Sequence, residues 1–299
     1  MHGHTSMNVH LIRVPYDSGH RGLRMGRGPL HFAEHGAAER VRAAGSGVVE
    51  STVDVTTPFP TEIGTSFALH RALSDGVCAT VTRGGFPLVL AGNCGSALGT
   101  VSGVRAATPN DSSDIGVIWL DAHADVNTPE TTTSGFLDGM SLAALAGQCW
   151  HTLTASVPGF RPVSDEHVVL VGARDIDPAE EEWLSRSRVA RVEATRLEAD
   201  GAAASLDASL TALARHVSRV YLHIDLDVHE PAEAQANQYA VSGGLSPSTV
   251  RDLVGVVAER FEITAAALTA YDPTYDPEAR MIETGLALIG EIARDVGSG

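Results

Sequence analysis

The sequence predicts an α/β protein of three layers, α/β/α, with a mostly parallel sheet and helices on both of its faces. Three observations lead there. Short apolar runs rich in β-branched residues recur along the chain, Ala- and Leu-rich segments with helical spacing separate them, and the runs mostly lack the strict polar alternation of a half-exposed strand.

The strand-like runs fall at residues 8–13, 87–91, 115–120, 168–171, 220–224 and 265–270. The helical segments fall at residues 66–83, 202–216, 247–261 and 284–293. Polar or Gly-containing stretches at 108–113 and 200–201 read as loops, because no charge block or low-complexity tract flanks them. Such alternation winds right-handedly and gathers ligands at the carboxyl ends of the strands. The chemistry is therefore expected just after strands.

Composition narrows the function. The 299 residues suit one domain over 8–299, preceded by a flexible tail over 1–7, with a core drawn from the 43% hydrophobic and only 5% aromatic content. A formal charge of -16 disfavours nucleic acid and anionic membrane, which the summed field would repel, and favours a small-molecule partner or metal ions. Cys78, Cys94 and Cys149 are widely spaced and odd in number, so no disulfide framework is expected and a reducing cytoplasm is. No run approaches the roughly 18 to 20 apolar residues of a membrane span.

In IWLDAHADVNTPETTTSG an apolar strand runs into Asp121, His123 and Asp125. On an extended chain, side chains two apart share a side, so the three would converge at the strand's end. VYLHIDLDVHEP repeats the arrangement with Asp225 and Asp227. Four carboxylates in one crevice repel one another unless they take up protons or cations. One Asp-x-Asp after a strand is often a cap or loop-ordering group; two such motifs, one with a His between its acids, point to metal. Oxygen-rich ligation with a single imidazole suits Mn²⁺.

The segments DAHADVNTPETTTSG and HIDLDVHEP resemble the signature motifs of the arginase, agmatinase and formimidoylglutamase superfamily. The segments RVPYDSGHRGLRMGRGP, LVLAGNCGSALGTVSG, VGARDIDPAE, SGGLSP and ALTAYDP are similar to further family segments, in the family's order. The resemblance implies a sheet of about eight strands and two divalent ions, Mn²⁺ foremost. Asp121 and Asp225 would bridge the ions, Asp125 would complete one site, and His123 with Asp227 the other. It also implies that a metal-bridging hydroxide attacks a planar C=N carbon, and that the chain forms a homotrimer or homohexamer.

Three positions depart from the family pattern. Cys94 stands where a metal-binding His is usual, with Asn93 in place of the acid before it. As a thiolate Cys94 would join the metal set and soften it toward Zn²⁺, Fe²⁺ or Co²⁺; as a buried thiol it would only pack. Members that hydrolyse hydroxylated arginine in antibiotic pathways resemble this pattern. Asp138 stands where a proton-shuttling His is usual, and Ala270 where a guanidinium-pairing Glu is usual. Asp138 would then carry the acid that position 270 lacks, which makes it, with Asp125, an expected catalytic residue.

Asn127 and Ser134 match positions that bind a substrate α-carboxylate, and Asp177 and Glu180 match those that bind its ammonium. Loop formation and helix capping are the plainer roles for the same residues. His223 and His229 flank the second acid pair but match no family ligand, so strand packing or solvent exposure is expected of them. The function expected is hydrolysis of a linear C–N bond in a guanidino- or amidino-bearing amino acid, hydroxylated or otherwise modified arginine first. The alternatives are an inactive metal- or amino-acid-binding relative and a formimidoyl or amide hydrolase.

Overall fold

Eight parallel strands make one sheet: β1 (Asn8–Val14), β2 (Gly47–Thr52), β3 (Phe86–Ala91), β4 (Ile115–Leu120), β5 (Val168–Val171), β6 (Ala190–Val192), β7 (Arg219–Asp225) and β8 (Glu262–Thr269). Their spatial order is β2-β1-β3-β8-β7-β4-β5-β6. The computed structural model describes residues 7–56, 61–109 and 114–297. The first six residues of the expected tail lie outside the described residues, and so do 110–113 of the expected loop at 108–113.

Successive strand residues feed two separate cores, as the period of two requires. Leu88, Leu90, Ile118, Leu120, Leu222 and Ile224 join the helices Ala202–Leu213, Pro247–Arg260 and Arg280–Gly297 on one face. Val89, Ala91, Val117, Trp119, Tyr221 and Ala267 join the helices Glu62–Thr82 and Ser96–Ala107 on the other. The central strands β3 and β4 are buried at every residue, which is why they read as unbroken apolar runs.

Two sheet strands escape the sequence reading, and both are edges. β2 is half exposed, with Val49 49% accessible, and β6 has only three residues. A strand covered on fewer sides needs no continuous apolar run. The helix expected from residue 66 begins earlier, at Glu62, where Thr61 Oγ1 accepts from Gly64 N, and the last helix extends to Arg280–Gly297. Asp200 ends the helix Ala194–Asp200 rather than standing in a loop, and Gly201, at φ +81°, turns the chain directly into the next helix. Among the described residues no helix is long and apolar enough to cross a membrane.

The sheet order has one decisive consequence. β3, β8, β7 and β4 are neighbours, so the segments that leave their carboxyl ends, carrying Cys94, Ala270, Asp225 and Asp121, open onto one crevice.

Candidate metal centre

Asp225 is the last residue of β7 and Asp121 follows β4, and the two strands pair in register at Leu120 and Ile224. Each aspartate accepts the backbone N–H two residues on: His123 N reaches Asp121 Oδ1 at 2.7 Å, and Asp227 N reaches Asp225 Oδ1 at 2.8 Å. This loop-ordering bond was the plainer reading of the motif, and it coexists with a clustered site. It also corrects the extended-chain argument. β4 ends at Leu120, Asp227 lies in a 3-10 turn, and Asp125 has φ +54°, so turns rather than a continued pleat bring the acids together.

Ligand atoms of Cys94, Asp121 and Asp225 lie within 4.8 Å of one another, as do those of Asp121, His123 and Asp227. Asp121 belongs to both groups. His123 Nδ1 is 3.3 Å from Asp121 Oδ1 and 3.4 Å from Asp227 Oδ2. Cys94 Sγ donates to Asp225 Oδ2 at 2.9 Å and lies 3.2 Å from Thr269 Oγ1. Asp125 belongs to neither group at that spacing, yet it lines the same cavity, and its buried Oδ2 has no hydrogen-bond partner. An unpaired buried carboxylate oxygen is costly unless a cation faces it. That orphan, together with the acid-rich donor set, fits a divalent pair.

The electrostatics say the same. Burial, then Asp121, pushes Asp125 well above the usual carboxylate range; burial, then Asp227, does so for Asp225; burial also raises Asp121. Burial alone would raise Asp227 and lower His123, but their mutual attraction outweighs it and drives Asp227 down and His123 up. Cys94 is pushed up by burial and then by Asp225, so its thiol holds its proton beside that acid. Three raised carboxyls and a raised thiol describe a cluster that takes up positive charge.

Around this core the cavity, of about 280 Å³, is lined by Asn127, Ser134, Asp138, Asp177, Glu180 and Ala270 among others. Asp138 is buried and cradled by three donors: Asn93 Nδ2 at 2.8 Å, Gly95 N at 3.1 Å and Ser141 Oγ at 3.1 Å. Burial pushes it up to about 7 against those bonds. Asn127 Nδ2 donates to Asp177 Oδ2 at 2.9 Å, and Ser134 Oγ accepts from Phe136 N. Glu180 spends one oxygen on Val126 N and the other on Asp177 N, at the start of the helix Pro178–Arg186, so its capping role is real. His223 and His229 are fully buried; His223 stacks on Trp119 at 3.6 Å and bonds Tyr221, while His229 Nδ1 bonds Leu226 O. Of the two expectations, packing rather than solvent exposure describes them.

Sequence reasoning missed the supports. Trp119 Nε1 donates to Asp121 Oδ2 at 2.9 Å, and its place two residues before Asp121 was a usable signal. Asn237 Nδ2 donates to Asp227 Oδ2 at 3.3 Å and to Ala270 O at 2.8 Å, tying the acid to the wall. Nothing in the local sequence marks Asn237.

A family model described as the arginase family matches residues 7–294. An arginase of Brevibacillus brevis is 31% identical, covering 96% of this chain and 98% of its own length. An arginase of Bacillus caldovelox is 30% identical over 95% of this chain and 97% of its own. The crystal structure of an arginase from Bacillus cereus, 30% identical, matches with a TM-score of 0.84 over 95% of this chain and 98% of that one.

Proposed function

The chain belongs to the arginase family and is a metal-dependent hydrolase of linear amidines, and from that premise we propose that its substrate is an α-amino acid ending in a hydroxylated or otherwise modified guanidino group. The observation that carries this reading is that Asp138 and Ala270 both line the cavity. At position 270 a methyl group offers a guanidinium no anion. Asp138 instead presents a carboxyl that its three donors hold in place. With Asp138 near 7, that carboxyl exists in both protonation states around neutral pH. Hydroxylation makes a guanidine less basic and adds an O–H group, which suits a carboxyl able to accept or return a proton better than it suits a permanent cation.

Cys94, Asp121, Asp125 and Asp225 would hold one divalent ion, and Asp121, His123, Asp225 and Asp227 the other, with Mn²⁺ favoured by the oxygen-rich set. The ions would bring the pKa of water toward about 7 and so supply the nucleophile. Trp119 and Asn237 orient the acids from behind. Asn127 and Ser134 would take the α-carboxylate and Asp177 the ammonium, with Glu180 holding Asp177 by its backbone. Asp138 would hold the proton that the leaving amine takes up. Residues 8–299 act as one domain in this reading, the free cysteines suit a reducing cytoplasm, and copies assemble as a homotrimer or homohexamer.

The test is turnover by manganese-reconstituted protein of Nω-hydroxyarginine, arginine, agmatine and formimidoylglutamate. Hydroxyurea release at least about tenfold more efficient than urea release from arginine is the expected result. Arginine turned over equally well would overturn the substrate reading. Silence on all four would favour a second reading, a metal- or amino-acid-binding member without turnover, which the Cys94 thiol bonded to Asp225 motivates.

A further inference from the structure

Among the described residues, one cluster of metal-ligating side chains stands apart from the cavity: Glu166, His167 and His216, each offering one ligand atom, all within 4.8 Å of one another. Glu166 and His167 immediately precede β5, and His216 lies between the helix Ala202–Leu213 and β7. The cluster therefore sits at the amino ends of the strands, whereas the catalytic crevice opens at their carboxyl ends.

A second observation comes from His167. Its side chain is 8% exposed, and its Nδ1 has no hydrogen-bond partner. The closest acid to that nitrogen, Asp114 Oδ2, stands at 3.6 Å, beyond hydrogen-bonding distance. A buried ring nitrogen left unpaired costs free energy that a bound ion, by drawing the surrounding groups in, would recover. The rings of His167 and His216 have centroids 5.4 Å apart and are tilted by 41°, so they do not stack face to face and can turn toward a shared ion. His216 is exposed, which gives an ion a way in.

We propose that Glu166, His167 and His216 form a second metal site, for a zinc-class divalent ion, that ties the start of β5 to the end of the helix Ala202–Leu213. Two imidazoles and one carboxylate favour Zn²⁺ or Ni²⁺ over Mn²⁺, the reverse of the acid-rich catalytic set. Asp114 supplies a nearby carboxylate of the kind that orients or joins ligating imidazoles. Glu166 is paired with Arg188 at 2.8 Å, but Arg188 is also bonded to Asp165 through its backbone N, Nε and a terminal nitrogen. Arg188 thus keeps a partner when Glu166 turns to the ion.

The experiment is equilibrium dialysis of the manganese-loaded protein against zinc in excess manganese, with both metals counted by mass spectrometry. His2 and His4 are replaced by Ala throughout, so that they contribute no zinc. One zinc per chain should add to the manganese, raise the Tm, and persist in Asp225→Asn. In His216→Ala the affinity should fall at least tenfold and the zinc-dependent rise in Tm should vanish. His216 is exposed, so the metal-free melting of this variant should match the parent's; His167→Gln, if it folds, should behave alike. Parent-like zinc uptake by His216→Ala, or uptake matched by an equal loss of manganese, would overturn the proposal.

Discussion

On the proposed metal-facing side of the cavity, Asp121 and Asp225 stand at the ends of adjacent strands, where sheet register places them; on the proposed substrate wall, Asp138 stands in the one-turn 3-10 helix Asp138–Met140, with Asn127 and Ser134 in a loop. The difference accounts for the acids Asp121 and Asp225, which follow the family pattern, although Cys94, which departs from it, lies on the same side as they do. Moving Asp121 or Asp225 would require a shift of β4 against β7, whereas Asp138, on its one-turn helix, can change identity without touching the sheet. The strand-end acids are therefore held by the architecture, while groups carried on loops and short turns are freer to change.

The largest effect is expected of Asp225→Asn in the manganese-loaded enzyme. Turnover should fall by about a thousandfold or more, beyond the loss of a single preorganised donor, with manganese content reduced. Parent-like turnover at full metal content would remove the distinction between the two sides. Asp138→Asn should lower kcat/KM by about a hundredfold while leaving metal content unchanged. It should also remove one limb of the pH profile: Asp138, near 7, loses its proton as pH rises through neutrality, so the parent should lose activity on that limb, while the variant should keep only the rise that comes from metal-bound water. Metal loss in Asp138→Asn would place it on the metal side instead.

Asn237→Ala removes a bond to Asp227 and should weaken manganese binding by roughly tenfold, read by competition with a chelator; unchanged affinity would make Asn237 a wall residue only. His70 shares a small cavity with Asp138, and burial, then Arg71, pushes it down to about 4. It is neutral when folded, so the stability it contributes is present above about 6.5, its unfolded value, and is lost as pH falls toward 4. The Tm difference between pH 7 and pH 4.5 should be smaller in His70→Gln than in the parent; equal differences would refute this. The smallest effect is expected of Ala270→Glu, a few-fold shift in the arginine to hydroxyarginine ratio toward arginine. Its φ of +62° strains any side chain there, which limits the gain.

Six strands were legible because they are buried on both faces, and burial leaves a local trace in apolar composition. Edge strands β2 and β6 leave none. Asp121, His123, Asp125, Asp225 and Asp227 were legible because acids crowded just after apolar runs are chemically conspicuous, although the extended-pleat geometry inferred for them gives way to turns. The layered α/β architecture and the residue types that could meet a metal are thus readable from the chain alone, since both follow from patterns a few residues long. That β8 lies between β3 and β7, that Cys94 meets Asp225 and Thr269, and that Asn237 braces Asp227 follow from the packed chain and from no segment of it. Cys94 meets its partners across 131 and 175 positions of chain, and Asn237 braces its acid from a loop without periodicity. Such contacts are chosen by the packing of the whole sheet, and that packing leaves no mark on any one segment.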